Sequence, residues 1–400
     1  MRAILCRTLV ASAFLLAIPA CGTGVRSLYE KTRAEALADP GPVPPDWTPD
    51  AVLGLAWPLV EDLVGGEVST RLTGGSGFRV ELPLDGEVSA TPDLSLEALD
   101  LSPDPSCVAY ARLESTIVGR VRLRAGPTAG DVPVRLALAA TLELETRSSG
   151  KGHTVEGVVR AVEARAARGG RRVGLDAPLA SWLAEQFDRE APRIRLATLG
   201  AQAAPVRAVR LVPEARDLRV DLLTEAPGST GGPPAPPGET CDWYLSVRTA
   251  SLLGLARRAA FDRGDLGHGV HADPRALAVE GDRFTLDLRL WRLAGLGWWR
   301  DYRVNGEIRL EDGRIRLEPS VVTEGEHSSG AGVLDPLVLL ARGAILEAVS
   351  EGLRIARPAE ARLGSSRLRL EVDRVAGRTD SLVIMGDAGV GAGRRGGWRL

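Results

Sequence analysis

Lysine is almost absent from this chain. Lys31 and Lys151 are its only lysines within a combined Lys and Arg count of 50, so the cations are nearly all arginine. With 52 acidic residues the formal net charge is -2, which leaves no basic footprint for a nucleic-acid partner. The 4 histidines all fall in loop-like contexts and offer little general-base chemistry. No Gly-x-Ser-x-Gly elbow occurs: Gly74-Gly75-Ser76-Gly77-Phe78 comes near but ends in Phe. Neither lysine stands in a Gly-Lys-Ser/Thr phosphate loop. Lys151, held between Gly150 and Gly152, has no burial signal to activate it for a Schiff base. The glycines of 386–391 follow a strand pattern as a dinucleotide loop would, but no helix pattern follows them. These absences give the expectation of a non-catalytic protein with no cofactor. No stretch is apolar for long enough to span a bilayer.

The most informative segment is the first. Arg2 and Arg7 precede an apolar run from Leu9 to Ile18, the layout of a secretory signal. It ends in Ile18-Pro19-Ala20-Cys21, which resembles the lipobox of bacterial lipoproteins, in which the cysteine becomes the lipid-modified first residue. Residues 1–20 are therefore expected to be a signal peptide, with Cys21 the lipidation site. Residues 21–49 are expected to form a tether, with a short charged helical piece from Ser27 to Ala38 and then a proline-rich stretch. Gly22, rather than Asp, follows Cys21. By analogy with lipoprotein sorting this favours the outer membrane, facing the periplasm, in a Gram-negative host. An oxidising compartment would permit Cys107 and Cys241 to form a disulfide.

Two blocks follow, expected as modules at 50–225 and 243–386. They are separated by a Pro/Gly-rich linker at 226–242 and trailed by a flexible Gly/Arg-rich tail at 387–400. Each block opens with apolar residues at helical spacing: Val52, Leu53, Leu55, Ala56, Leu59, Val60, Leu63 and Val64 in one, Leu252, Leu253, Leu255, Ala256, Ala259 and Ala260 in the other. Alternating strands come next. Leu136, Leu138 and Leu142 lie on one face in the first block; Leu286, Leu288, Leu290, Ile308 and Leu310 do so in the second. Asp312-Gly313 between two such runs is a hairpin signal. Each block returns to helix at an Asp cap followed by proline, at Asp176 with Pro178 and at Asp335 with Pro336, and then closes with a strand. The order is an internal repeat of pattern, without identity. The fold class is α+β: two tandem modules, each a long curved antiparallel sheet wrapped on amphipathic helices, after a lipoprotein signal and tether.

The run from Val134 to Leu144 would extend about 36 Å at about 3.3 Å per residue. A sheet of that length with one apolar face must cover it, and incomplete cover leaves an apolar groove. This layout is similar to the tubular lipid-binding superfamily, which includes the bactericidal/permeability-increasing-like domains. The resemblance implies a long sheet wound on a helix with lipid tails held in the seam. It implies phospholipid or another apolar ligand as partner, beside the membrane reached through the anchor. It assigns no binding residue. The candidates Leu136, Leu138, Leu142, Leu286, Leu288, Leu290, Ile308 and Leu310 come only from alternation, which ordinary core shares. The rival class is a structural or interaction lipoprotein with no ligand cavity, recruiting another envelope protein.

Two clusters invite a sharper reading. Trp298 and Trp299 are adjacent, so in a strand they face opposite sides, and one of them suits a groove rim or membrane interface. Asp265, His268, His271 and Asp273 have spacing that can ligate zinc. The glycines among them make a loop that holds metal geometry poorly, so the expectation is no metal.

Overall fold

The computed structural model describes residues 24–73, 77–82, 86–104, 110–125, 127–149, 152–166, 176–190, 193–200, 206–225, 233–295, 297–311, 314–328, 360–363, 366–378 and 380–392. Among them are four helices and a set of antiparallel sheets, an α+β architecture. None of these helices is long and apolar enough to cross a membrane.

The chain begins with helix α1 (24–36), then strand β1 (Ala51–Ala56) and helix α2 (Trp57–Thr73). The first long sheet consists of β2 (Phe78–Leu82), β3 (Gly86–Pro103), β4 (Tyr110–Ala125), β5 (Thr128–Ser149), β6 (Gly152–Ala166) and, after helix α3 (Asp176–Glu190), β7 (Arg193–Gly200). β8 (Val206–Pro213) and β9 (Asp217–Thr224) close the first block. The second block opens in the same way, with a strand leading directly into a helix. β10 (Trp243–Arg248) leads into helix α4 (Thr249–Arg263), then a four-stranded meander of β11 (Val270–Glu280), β12 (Arg283–Arg292), β13 (Trp298–Glu311) and β14 (Arg314–His327). β15 (Glu360–Leu363), β16 (Ser366–Leu370), β17 (Arg374–Arg378), β18 (Ser381–Gly386) and β19 (Ala388–Ala392) follow. The helix expected at Asp335 lies outside the described residues.

The two blocks share one sheet. Its strand order is β17-β18-β10-β1-β9-β8, so β1 and β10, the leading strands of the two blocks, are neighbours at its centre. They run antiparallel, with Ala51 opposite Val247 and Leu55 opposite Trp243. Each then turns directly into a helix, Ala56 into α2 and Arg248 into α4. Antiparallel leading strands therefore send α2 and α4 away from opposite ends of the shared sheet, and the two long sheets go with them. Gly54 makes the pairing possible at close quarters: a Cβ there would overlap the ring of Tyr244.

Residues 52–56 correct the expectation of a helix. Val52 and Leu55 are buried, and Leu53 and Gly54 pair on both sides, because β1 lies between β9 and β10. A central strand buried on both faces reads as a continuous apolar run, which periodicity cannot separate from a buried helix. The tail is corrected as well. Residues 388–392 pair with β16 as β19 and do not fray. The sheet β15-β16-β19 packs against α2 and β7 of the first block.

The first long sheet has the longer strands, and both long sheets carry register shifts. β5 runs for 22 residues, longer than the alternation suggested. Register shifts at Leu96/Ala98 and Ala139/Thr141 are β-bulges, which bend a strand and raise its twist. The dry face packs on α2 and α3: Leu59, Val60, Leu63, Leu179 and Leu183 join the same buried cluster as Leu136 and Leu142. In the second meander Glu311 pairs with Arg314, the two-residue hairpin step that Asp312-Gly313 predicts.

Asp50, just before β1, ties the shared sheet together and is itself 4% exposed. Its N–H donates to Leu222 O of β9 at 3.1 Å, and its carbonyl accepts from Arg248 N of β10 at 2.9 Å. Its carboxylate accepts from Thr224 N at 2.9 Å and Thr224 Oγ1 at 2.7 Å. Burial raises its pKa, and the Thr224 bonds oppose that. A carboxyl raised in the folded state contributes its stability fully below its unfolded value, about 3.9, and loses it as pH rises through the folded value. Asp50→Asn should therefore gain stability relative to the parent as pH is raised from about 4 to 7, read as urea midpoints. Asp50→Ala should cost about 1–3 kcal/mol by leaving the Thr224 amide unsatisfied. A relative stability of Asp50→Asn that falls over that pH range would contradict burial as the dominant influence.

Candidate functional site

A ligand seam needs an apolar face that its own helices leave uncovered. In the first block that condition fails at the expected residues. Leu136, Leu138 and Leu142 are 0%, 2% and 0% exposed and belong to the core beneath α2 and α3. One hollow along this sheet, about 510 Å³, is an open groove flanked by Asp100, Glu114, Glu163 and Arg165 with Ala137 and Ala139 between. Its mixed, charged border does not suit a hydrocarbon tail. A counterpart of about 410 Å³ in the second block is bordered by Arg275, Asp287, Asp301, Arg303 and Glu324. All three of those acids are paired, Asp287 with Arg303 at 2.7 Å, Asp301 with Arg289 at 2.6 Å and Glu324 with Arg300 at 2.5 Å.

The second block holds a different kind of hollow, between α4 and the dry face of its meander. Leu252 and Ala256 of α4 face Leu277 of β11, Phe284 and Leu286 of β12 and Ile308 of β13, and every lining residue is apolar. Leu310, Ile315 and Leu317 carry the apolar surface onward and are only partly buried. The free space is about 20 Å³, the room of roughly one water. Leu286, Ile308 and Leu310 thus lie in or beside this seam. Leu288 and Leu290 do not: they pack with Ala260, Val270, Ala272, Trp298 and Tyr302 in a separate buried cluster towards the far end of α4.

Alternation along β13 sends Trp298 and Trp299 to opposite faces. Trp298, 5% exposed, is core and forms no rim. Trp299 lies half-buried on the other face, with the Arg289 guanidinium 3.8 Å from its ring centroid. That face is covered by α1, part of the segment expected as a tether. Tyr29 is 3% exposed, its ring centroid 5.7 Å from Phe261 and 5.8 Å from Trp291. Its hydroxyl meets Nδ1 of His271 at 3.1 Å. Burial holds the His271 imidazole below its usual pKa and raises the Tyr29 phenol, so near neutral pH the phenol keeps its proton and the ring stays uncharged. The segment stays on the surface after the helix. Arg207 of β8 donates to Gly41 O, and the Arg210 guanidinium lies 4.8 Å from the Trp47 ring centroid. The segment expected as a tether therefore touches the fold at Tyr29, Gly41 and Trp47.

The histidine cluster divides between structural tasks. Asp265 accepts from the amides of Gly267, Gly269 and Val270, which fixes the loop and lowers its own pKa. His271 serves α1, and Asp273, fully buried, accepts from Arg257 at 2.6 Å. Cys107 lies outside the described residues. Cys241 packs half-buried against Val52, Tyr244, Val383 and Met385, and its thiol pKa is raised chiefly by burial. Sequence reasoning missed α1 as a packed element. The signal was Tyr29, an aromatic within a charged helix whose partners stand more than two hundred positions away.

No family model matches the chain, and no curated protein matches it. Solved structures similar in overall course include the crystal structure of lipopolysaccharide binding protein, 11% identical with a TM-score of 0.40, covering 87% of this chain and 100% of that one. Another is the crystal structure of P47 of Clostridium botulinum E1, 10% identical with a TM-score of 0.40, covering 85% of this chain and 99% of that one. Likeness at this level assigns no residue a role.

A helix of α1's length is marginal on its own, so its order depends on Tyr29. Tyr29→Ala should raise amide hydrogen exchange across 24–36 by at least about tenfold, the effect of losing about 1.4 kcal/mol or more of docking. Exchange in β11–β14 should stay unchanged. Equal protection in parent and variant would mean that the ring contacts do not hold the helix.

Proposed function

We propose that this chain is a membrane-anchored, non-catalytic lipoprotein of the cell envelope that binds the tail of a lipid or similar apolar ligand in its second block. In a Gram-negative host its place is the outer membrane, facing the periplasm. The observation that carries the binding reading is the wholly apolar lining of the seam between α4 and the meander, with partly exposed Leu310, Ile315 and Leu317 continuing from it. Water gains nothing in such a space, whereas each methylene that enters contributes about 0.8 kcal/mol. With about 20 Å³ free, entry of a tail requires α4 to part from the sheet. The anchoring reading rests on the signal-like segment and on Cys21.

The small free volume favours a second reading specifically: an envelope lipoprotein that carries no ligand and acts through its surface. One experiment separates the two. The chain from Gly22 onward is purified from a bacterial host without detergent and its lipid content is measured by mass spectrometry. About one phospholipid or fatty acyl chain per protein supports the seam. Ala256→Phe, which fills the hollow from α4, should then reduce bound lipid several-fold while leaving the unfolding transition cooperative. Lipid-free protein, or full occupancy in Ala256→Phe, removes the binding reading and leaves the surface one.

A further inference from the structure

The docked position of α1 fixes where an anchor at Cys21 would meet the protein. Val25, at the start of α1, packs beside Gly297, with a Cβ built at Gly297 lying 3.4 Å from Val25 Cβ. Gly297 belongs to the β12–β13 turn. Cys21 stands three residue steps before Gly24, and at about 3.3–3.6 Å each they reach no more than about 11 Å. The anchor is thereby confined to the neighbourhood of the 293–297 turn.

That turn is the far tip of the second block. The opposite end of β12 adjoins the shared sheet, where Gly281 bridges Gly377 of β17 and Asp282 O accepts from Ile308 N. β12 has 10 residues, so about 33 Å of strand lies between the tip and the shared sheet. The first block leaves that sheet from its other end. Its own far tip is the β4–β5 turn, where Ala125 pairs with Thr128; at the other end of β5, Ser148 pairs with His153, whose Nε2 meets Val206 O of β8 at 2.8 Å.

From this we infer that α1 is a brace which holds the 293–297 tip of the second block against the bilayer and points the first block away from it. The inference rests on the lipoprotein reading above. The surface at the tip fits a bilayer surface as partner. Leu28, 43% exposed, projects from α1, Arg26 and the backbone at Ala294 and Gly295 are exposed, and half-buried Trp299 lies behind them. Apolar and aromatic side chains beside a cation are what a phospholipid interface accepts.

The test uses the full chain, matured in a bacterial host, in a background with Cys107 and Cys241 replaced by Ser. Intact mass and N-terminal peptide analysis first read whether Cys21 carries acyl chains. The protein is reconstituted into vesicles of phosphatidylethanolamine and phosphatidylglycerol containing doxyl-labelled lipid. A bimane is placed either at Ala294→Cys or at Thr128→Cys; both positions are exposed. The brace predicts several-fold stronger quenching at 294 than at 128. It also predicts loss of that difference in Tyr29→Ala and on insertion of ~15 Gly/Ser residues after Thr23, which lengthens the leash by about 20 Å without touching the fold. An acylated Cys21 with equal quenching at both sites overturns the brace and leaves the lipoprotein reading standing. So does a difference that survives the insertion. Unmodified Cys21 overturns the lipoprotein reading, and the membrane orientation falls with it.

Discussion

The antiparallel pairing of β1 with β10 is the constraint on which the rest of this molecule depends. It brings the leading strand of each block into one sheet, and by running the two strands in opposite directions it sends their helices out from opposite ends. Asp50 secures the junction from within, bonded through its backbone to both neighbouring strands and through its carboxylate to Thr224. A buried carboxylate is costly unless it is hydrogen-bonded, and here its bonds reach the end of β9 at the same place where β10 turns into α4. Two blocks that read as tandem modules are thus one molecule with a shared middle.

Different helices cover the two dry faces. Beneath the first long sheet, α2 and α3 contribute large buried aliphatic side chains. Beneath the second, α4 presents Leu252 and Ala256 to Phe284, Leu286 and Ile308 and leaves a narrow apolar seam. Close-packed interiors resist opening because the parted surfaces find no new atoms to attract, whereas a seam backed by alanine can open at lower cost. This difference directs the ligand reading to the second block.

The alternating strands were legible because one wet and one dry face impose a period of two, and the Asp176 helix start and the Glu311–Arg314 hairpin obey local chemistry. The same alternation could not tell a lining residue from a packed one. Leu136 and Leu286 carry identical signals and lie in one buried cluster, yet Leu286 also borders the hollow beside α4. Residues 52–56 read as helix because a strand buried on both faces has no period to show. Residues 388–392 looked frayed because the partner that orders them, β16, supplies backbone hydrogen bonds that small side chains do not advertise.

What the sequence determined by itself was whatever neighbours in the chain decide: the signal-like start with its cysteine, the order of helices and strands repeated in two blocks, the α+β class and the absence of any recognisable catalytic motif. What the tertiary structure decided was everything set by residues far apart. Tyr29 on Phe261, Trp291 and His271 turned an expected tether into a packed helix. The choice of which helix lies over which sheet settled where space is left. Local periodicity reports that a face is apolar, but only the packing of distant side chains determines what covers it.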